Sequence, residues 1–161
     1  MKIDEIKEAI LIWGILSKKG IDELNKEELG VVAECRPYLY GLRHNSILLN
    51  KEKVPYFYCT DNMLGYLFRE GKIKRTFIFY RRKKEDGFIS PAGSMYVFLL
   101  SIFHNVELKF FEEGSFLGGV DKDASTLGGR SFVSRENLAF VEQPEDELIE
   151  YEVVLRRRKN V

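Results

Sequence analysis

Apolar positions in the first part of the chain recur at helical spacing. In residues 2–19 they stand three or four apart and so share one helix face; they are Ile3, Ile6, Ile10, Trp13 and Leu16. Residues 22–34 and 37–46 repeat the pattern, and Pro37 suits the first turn of the latter segment. The pattern predicts three N-terminal helices.

The remainder of the chain is dominated by strand-like segments. Alternation and short apolar runs predict strands over 47–49, 54–59, 73–82, 106–112, 132–141 and 148–157. A helix is predicted over 61–70, and Asp86-Gly87 indicates a hairpin turn. Residues 91–103 fit either a buried helix or a strand, because a short apolar run does not distinguish them.

Helices followed by strands are typical of the α+β class. We predict a tri-helical, winged-helix-like region over 1–59, and a mostly antiparallel, β-rich α+β region over 60–161. The two regions pack together, and a single compact domain is the alternative. In the winged-helix interpretation, helix 37–46 reads the DNA major groove and the polar turn 50–53 is the wing.

Composition limits the class of protein. The chain has 161 residues with 25 basic and 25 acidic side chains, as expected of a folded globular protein. No apolar run approaches the roughly twenty residues of a membrane span. Two cysteines, Cys35 and Cys59, provide no disulfide framework and are predicted to be buried thiols. We therefore predict a cytoplasmic protein with no cofactor, no metal and no membrane contact.

Net neutrality conceals two oppositely charged segments. Residues 69–84 contain eight basic residues and one acid, whereas residues 141–152 contain six acids and no base. Basic and aromatic side chains alternate in the first segment, a combination that binds phosphates and stacks on bases. We therefore predict a non-enzymatic nucleic-acid-associated protein. The candidate contact residues are Arg75, Arg81, Arg82, Lys83 and Lys84, with Arg43 and His44 of helix 37–46 as a second group.

Three alternatives remain open from the sequence. The basic segment can pair internally with acidic segment 142–152, since their charges nearly match. The same acidic segment can dock a basic protein partner, which would make the protein an adaptor. Finally, Glu107 and Lys109 alternate along a predicted strand and, with Asp86, resemble the skeleton of a metal-dependent nuclease site.

Overall fold

A computed structural model of the protein describes residues 5–36, 38–85 and 87–117, and the backbone of three short strands beyond them. A 3₁₀-helical turn, Asp61–Met63, precedes the helix Leu64–Arg69, and a π-helical turn, Gly41–Asn45, leads directly into the helix Ser46–Glu52. In chain order the elements are β1 (Ala9–Trp13), α1 (Lys18–Asp22), β2 (Gly30–Ala33), α2 (Ser46–Glu52), β3 (Tyr56–Cys59), α3 (Leu64–Arg69), β4 (Ile73–Tyr80), β5 (Arg82–Lys83), β6 (Phe88–Ser90), α4 (Ser94–Phe103), β7 (Glu107–Glu112), β8 (Thr126–Leu127), β9 (Arg130–Ser131) and β10 (Asp146–Glu147).

Five parallel strands form the central sheet in the order β3-β2-β1-β4-β7. Successive side chains of β1 point to opposite faces. Leu11 and Trp13 join the core packed by α3 and α4, whereas Ile10 and Ile12 join the core packed by α1 and α2. The sheet therefore has a helical layer on each face, which is a doubly wound α/β arrangement.

The predicted first helix, residues 2–19, is wrong. Its centre is β1, and all five residues of that strand are buried. A strand covered on both faces is apolar at every position, so some of its residues fall at helical spacing by chance. The second half of predicted helix 22–34 is wrong for the same reason, because it forms the buried strand β2.

The α+β prediction, with a winged-helix-like start and an antiparallel C-terminal part, is also wrong. Residues 47–49, predicted as a strand, lie within α2. The proposed wing 50–53 is the end of that helix, where Lys53 adopts the left-handed conformation that terminates it (φ 58°). The predicted boundary between the two regions is residue 59, but strands from before and after it belong to one parallel sheet.

Later elements agree better with the sequence pattern. Strands β3, β4 and β7, helix α3 and the helical alternative for 91–103 are confirmed. Strands β5 and β6 form the hairpin predicted at Asp86-Gly87. Predicted strands 132–141 and 148–157 and most of the glycine-rich segment 114–129 lie outside the described residues. In the part of the chain that the structure describes, no helix is long and apolar enough to span a membrane.

Candidate functional site

The carboxyl ends of the parallel strands border a cleft. In doubly wound sheets ligands bind beyond these ends, beside the point where the chain reverses its direction of travel across the sheet. Here that point lies between β1 and β4, because β1 leads to β2 on one side and β4 leads to β7 on the other. A cleft of about 460 Å³, a volume suited to a small ligand, opens beside this point, beyond the ends of β1, β2 and β3. Its lining residues are Trp13, Arg36, Asp61, Asn62, Ala92, Gly93 and Tyr96.

Asp61 is the carboxylate of the cleft, and it follows Thr60 just after β3. It accepts hydrogen bonds from the backbone N–H groups of Cys35 (2.8 Å) and Arg36 (3.0 Å), which follow β2. Burial raises the pKa of Asp61, and these two hydrogen bonds oppose the increase. Asp61 therefore joins the loops after β2 and β3, and its remaining lone pairs can accept further hydrogen bonds.

Arg36 supplies a cation at the edge of the cleft. Its guanidinium donates to both carboxylate oxygens of Glu34, at 2.9 and 3.1 Å, while half of its side chain (49%) remains exposed. The hydrogen bond to Glu34 is the main reason that the pKa of Arg36 is raised. A bidentate pair fixes the plane of the guanidinium, so Arg36 is oriented before any ligand arrives.

The first turn of α4 closes the far side of the cleft. Gly93 precedes this helix with φ 89°, and a Cβ atom there would lie 2.5 Å from Cζ2 of Trp13. Only glycine combines this conformation with so close an approach. The helix therefore begins directly against the indole, with the positive end of its dipole toward the cleft.

A short segment covers the neighbouring switch point. We define the strap as residues 113–117, which follow β7. The backbone N–H of Glu113 donates to the carbonyl of Tyr80 (2.8 Å), and that of Gly114 to the carbonyl of Ile15 (3.0 Å). The strap thus crosses the carboxyl ends of β4 and β1, beside the open cleft.

The predicted basic residues are distributed over separate places. Arg75 lies near the start of β4 and pairs with Glu28 (2.6 Å). Arg81 donates to the hydroxyl of Tyr40 (2.9 Å), and Arg43 lies over the ring of Phe116 (5.7 Å). Rings of Tyr40 and Phe116 are in contact, so the structure brings Arg43 and Arg81 to one aromatic cluster, away from Arg75.

Three other predicted contact residues belong to the hairpin, and His44 belongs to the interior. Arg82 and Lys83 form β5, and Lys84 follows them on the exposed surface. On the other side of β6, Asp146–Glu147 pairs with Ile89 and Ser90. A strand of acidic segment 142–152 therefore lies in the same small sheet as the basic hairpin, but β6 separates it from β5, so the internal-pairing alternative stays a prediction. His44 is only 2% exposed.

The residues of the nuclease alternative do not form a site in the described structure. Glu107 and Lys109 begin β7, at the opposite end of the sheet from the cleft, and Lys109 forms ion pairs with Glu23 and Glu107. Asp86 lies outside the described residues. No cluster of His, Cys, Asp and Glu suited to a metal occurs among the residues that are described.

The prediction for the cysteines is confirmed. Cys35 and Cys59 are both buried free thiols, and burial raises the pKa of Cys59 to about 12. Neither thiol is poised to ionise near neutral pH, so neither has the character of a nucleophile.

The sequence pattern does not predict the residues of the cleft. They come from four distant segments, and only the parallel strand order brings these segments together. A usable signal is present, because a polar or glycine residue follows each buried run: Gly14 after β1, Glu34 after β2 and Thr60-Asp61 after β3. Such positions mark the functional edge of a parallel sheet.

Comparison with known proteins gives a consistent assignment. The model of the Initiation factor 2 subunit family (IF-2B) matches residues 18–108, more than half of the chain. Translation initiation factor eIF-2B, subunit delta, from A. fulgidus is a similar structure, with a TM-score of 0.62 and 13% identity over 90% of this chain and 49% of that one. For 5-methylthioribose 1-phosphate isomerase from Pyrococcus horikoshii OT3 the TM-score is 0.56, with 16% identity over 66% of this chain and 34% of that one.

At these identities the two structures establish a shared fold. The chain spans about half the length of the first and a third of the second. No curated protein sequence matches the chain.

These matches correct the function predicted from the sequence. The matched residues 18–108 contain both the proposed recognition helix 37–46 and the basic segment 69–84, on which the nucleic-acid prediction depended. They form part of a parallel α/β sheet, so the DNA-binding winged helix is wrong, and the nucleic-acid, nuclease and acidic-adaptor functions are not supported. The chain belongs to the Initiation factor 2 subunit family.

Proposed function

We propose that this protein binds a small sugar phosphate, of the size of a phosphorylated pentose, in the cleft beside β1. The observation that carries the proposal is the position of the cleft, beyond the carboxyl ends of parallel strands and against the first turn of α4. Both features favour a ligand with an anionic group, because helix N-termini attract negative charge.

The lining side chains suit the two halves of such a ligand. Arg36 retains N–H groups beyond the two that donate to Glu34, and these, with the start of α4, can hold a phosphate. Asp61 and Asn62 provide acceptors and donors for sugar hydroxyls, because each Asp61 oxygen retains a lone pair after accepting one backbone N–H. Tyr96, which is exposed, provides aromatic surface for the carbon skeleton of the ring, and the buried indole of Trp13 lies behind the cleft wall.

One of the two similar structures supports this ligand class. One of the proteins that share the fold is named for a reaction on 5-methylthioribose 1-phosphate, which is a phosphorylated pentose derivative. The other is named as a subunit of a translation initiation factor. An intracellular location agrees with membership of a family named for initiation factors.

The single tryptophan provides a direct test, because Trp13 lines the cleft. Ribose 5-phosphate, 5-methylthioribose 1-phosphate and AMP would each be titrated while indole fluorescence is recorded. We expect a saturable change for at least one of them and none with unphosphorylated ribose. Arg36→Gln should weaken that binding about tenfold or more, the usual effect of losing a charge-assisted hydrogen bond.

A matched control is available on α3. Arg69 is exposed, and its guanidinium lies against its local neighbours Glu70 and Tyr66. Arg69→Gln therefore removes the same charge at a position away from the cleft. Equal weakening by both substitutions would indicate a general charge effect and would count against the cleft. Absence of any saturable change with all three ligands would contradict the proposal.

A second observation favours a protein contact through α4. Tyr96, Ile102 and Phe103 are exposed on this helix, Phe103 to 84%, and residues 94–103 contain no charged side chain. A helix that is apolar on its outer side is typical of an interface. We propose that this surface contacts a second copy of the chain, since an uncharged surface meets its own copy without repulsion.

Light scattering after gel filtration would test this contact. We expect a concentration-dependent increase in mass that Phe103→Glu abolishes. Ile47→Glu is the control, because Ile47 is also exposed (52%) but lies on α2, on the opposite face of the sheet. A monomer at all concentrations, or equal effects of the two substitutions, would contradict a self-contact through α4.

A further inference from the structure

His44 holds the far end of the strap. The backbone N–H of Leu117 donates to Nδ1 of His44 at 3.1 Å, and the other ring nitrogen, Nε2, lies 2.8 Å from the carbonyl oxygen of Leu16. An N–H donor requires a lone pair on Nδ1, so the ring proton resides on Nε2 and is donated to Leu16. The hydrogen bond to the strap therefore exists only while the imidazole is neutral.

The next residue fixes the base of this arrangement independently of the strap. The side-chain amide of Asn45 donates to the carbonyl of Gly14 at 2.8 Å, and its oxygen accepts the backbone N–H of Leu16 at 3.0 Å. Both bonds are buried. The π-helical turn is thus fastened to the loop between β1 and α1, and His44 keeps its position whether or not residue 117 is bound.

We propose that His44 is an acid-sensitive latch, which releases the end of the strap from the switch point when Nδ1 takes a proton from solvent. The imidazolium then has N–H groups on both nitrogens. Nε2–H still donates to Leu16, but Nδ1–H faces the N–H of Leu117, and two donors repel one another. The hydrogen bond at this end of the strap is lost, whereas Glu113 and Gly114 retain their backbone bonds to Tyr80 and Ile15.

Release changes the surface beside the cleft. Phe116 packs edge-on against Tyr40 with ring centres 5.3 Å apart, and it also contacts the ring of His44. Because Phe116 lies between the two ends of the strap, loss of the Leu117 bond frees it to leave Tyr40. An aromatic surface at the carboxyl edge of the sheet is then uncovered.

Burial of His44, more than the charges around it, determines the pH at which this happens. Burial lowers the pKa of His44, and the hydrogen bond to Leu16 partly opposes the decrease. Arg81 pairs with Glu113 (3.5 Å), which leaves little net charge from that pair, and Arg43 lies over Phe116. The charged groups on the elements packed around it are Arg43 on the same turn, Arg81 after β4, Glu113 in the strap, and Lys18 and Lys19 at the start of α1.

Amide hydrogen exchange by NMR on the full chain would test the latch. As the pH is lowered from 7.5 through the pKa of His44, we expect the protection of the Leu117 amide, corrected for intrinsic exchange, to fall by up to about tenfold per pH unit below that pKa. Amides of β1 should keep their protection. The ring ¹⁵N chemical shifts of His44 should show the Nε2–H tautomer at high pH. They should change with the same midpoint pH as the protection of the Leu117 amide.

Only two histidines occur in the chain, which gives a matched pair of variants. His44→Gln should remove the pH dependence of Leu117 protection, and His104→Gln, on the turn after α4, should retain it. If His44→Gln does not fold, the wild-type protein still tests the proposal, because the titration of His44 and the loss of Leu117 amide protection should have the same midpoint pH. Any of three results would overturn the proposal. The protection of the Leu117 amide could stay unchanged while His44 titrates, or it could be lost together with that of the β1 amides. It could also still depend on pH in His44→Gln.

Discussion

The indole N–H of Trp13 donates to the hydroxyl of Ser94 at 3.1 Å, across 81 positions of the chain. This buried hydrogen bond joins the last residue of β1 to the first residue of α4. The Ser94 hydroxyl in turn donates to the carbonyl of Pro91 at 2.6 Å. At the back of the cleft, the Ser94 hydroxyl therefore connects β1, α4 and the turn before α4.

We expect Ser94→Ala to destabilise the protein by about 1–3 kcal/mol, the usual cost of leaving a buried donor without its acceptor. Trp13 is the donor left unpaired. Urea unfolding followed by Trp13 fluorescence would measure the change. Ser115→Ala, at an exposed position of the strap, is the control and should change stability little. Equal stability of the two variants would show that the Trp13–Ser94 bond contributes nothing measurable.

Substitutions at two glycines distinguish the free-energy cost of backbone strain from that of a steric clash. Gly71 has φ 62° and open space within 4 Å of the position that a Cβ would take, whereas Gly93 has φ 89° and would place a Cβ against Trp13. We expect Gly71→Ala to cost about 1–2 kcal/mol through the left-handed conformation alone. Gly93→Ala should cost about 1–3 kcal/mol more, because the methyl group must displace the indole. Denaturant midpoints of the two variants provide the comparison, and equal losses would contradict the steric argument.

How far the sequence predicts the molecule depends on the kind of burial. Strand β4 is recognisable because its eight residues form a long run rich in β-branched and aromatic side chains, and α3 because its buried residues lie on one side only. The short strands β1 and β2 are not recognisable in this way, because burial on both faces removes alternation. The fold class depends on these two strands, so the winged-helix-like prediction for residues 1–59 is wrong.

The site is harder to predict than the fold. Trp13, Arg36, Asp61 and Gly93 are each ordinary residues in their local sequence, and only the strand order β3-β2-β1-β4 makes them neighbours. Conversely, the basic residues are predicted as contact residues because of their charge. Arg75 is in fact engaged by Glu28, and Arg81 by Tyr40 and Glu113, within the protein.

The pKa of Asp61 leads to a prediction about pH. Burial raises this pKa above its ordinary value of 3.8, so over a range of pH the folded protein holds a proton that the unfolded chain has lost. Stability from this group is fully present below pH 3.8 and is lost as the pH rises through the raised pKa. Relative to Asp61→Asn, which does not titrate, wild-type stability should therefore fall above about pH 4, by at most about 1.4 kcal/mol per pH unit.

Unfolding of both proteins in urea between pH 3.5 and 7 (about half-unit steps) would give this difference directly. Asp22→Asn, at an exposed position on α1, is the matched control. A difference between wild type and Asp61→Asn that stays constant with pH, or that rises with pH, would contradict the direction of the Asp61 pKa. The same would follow if Asp22→Asn produced an equal trend.

The ion pair between Glu28 and Arg75 should contribute to stability although it lies far from the cleft. Both side chains are largely buried (18% and 17% exposed), and Glu28 also pairs with Lys74 at 2.9 Å. We expect Glu28→Gln to cost about 1–2 kcal/mol, because the largely buried Arg75 guanidinium loses the carboxylate to which it donates. The adjacent Glu27→Gln removes the same charge from an exposed position and should be nearly neutral. Equal denaturant midpoints for the two variants would mean that Glu28 acts only through net charge.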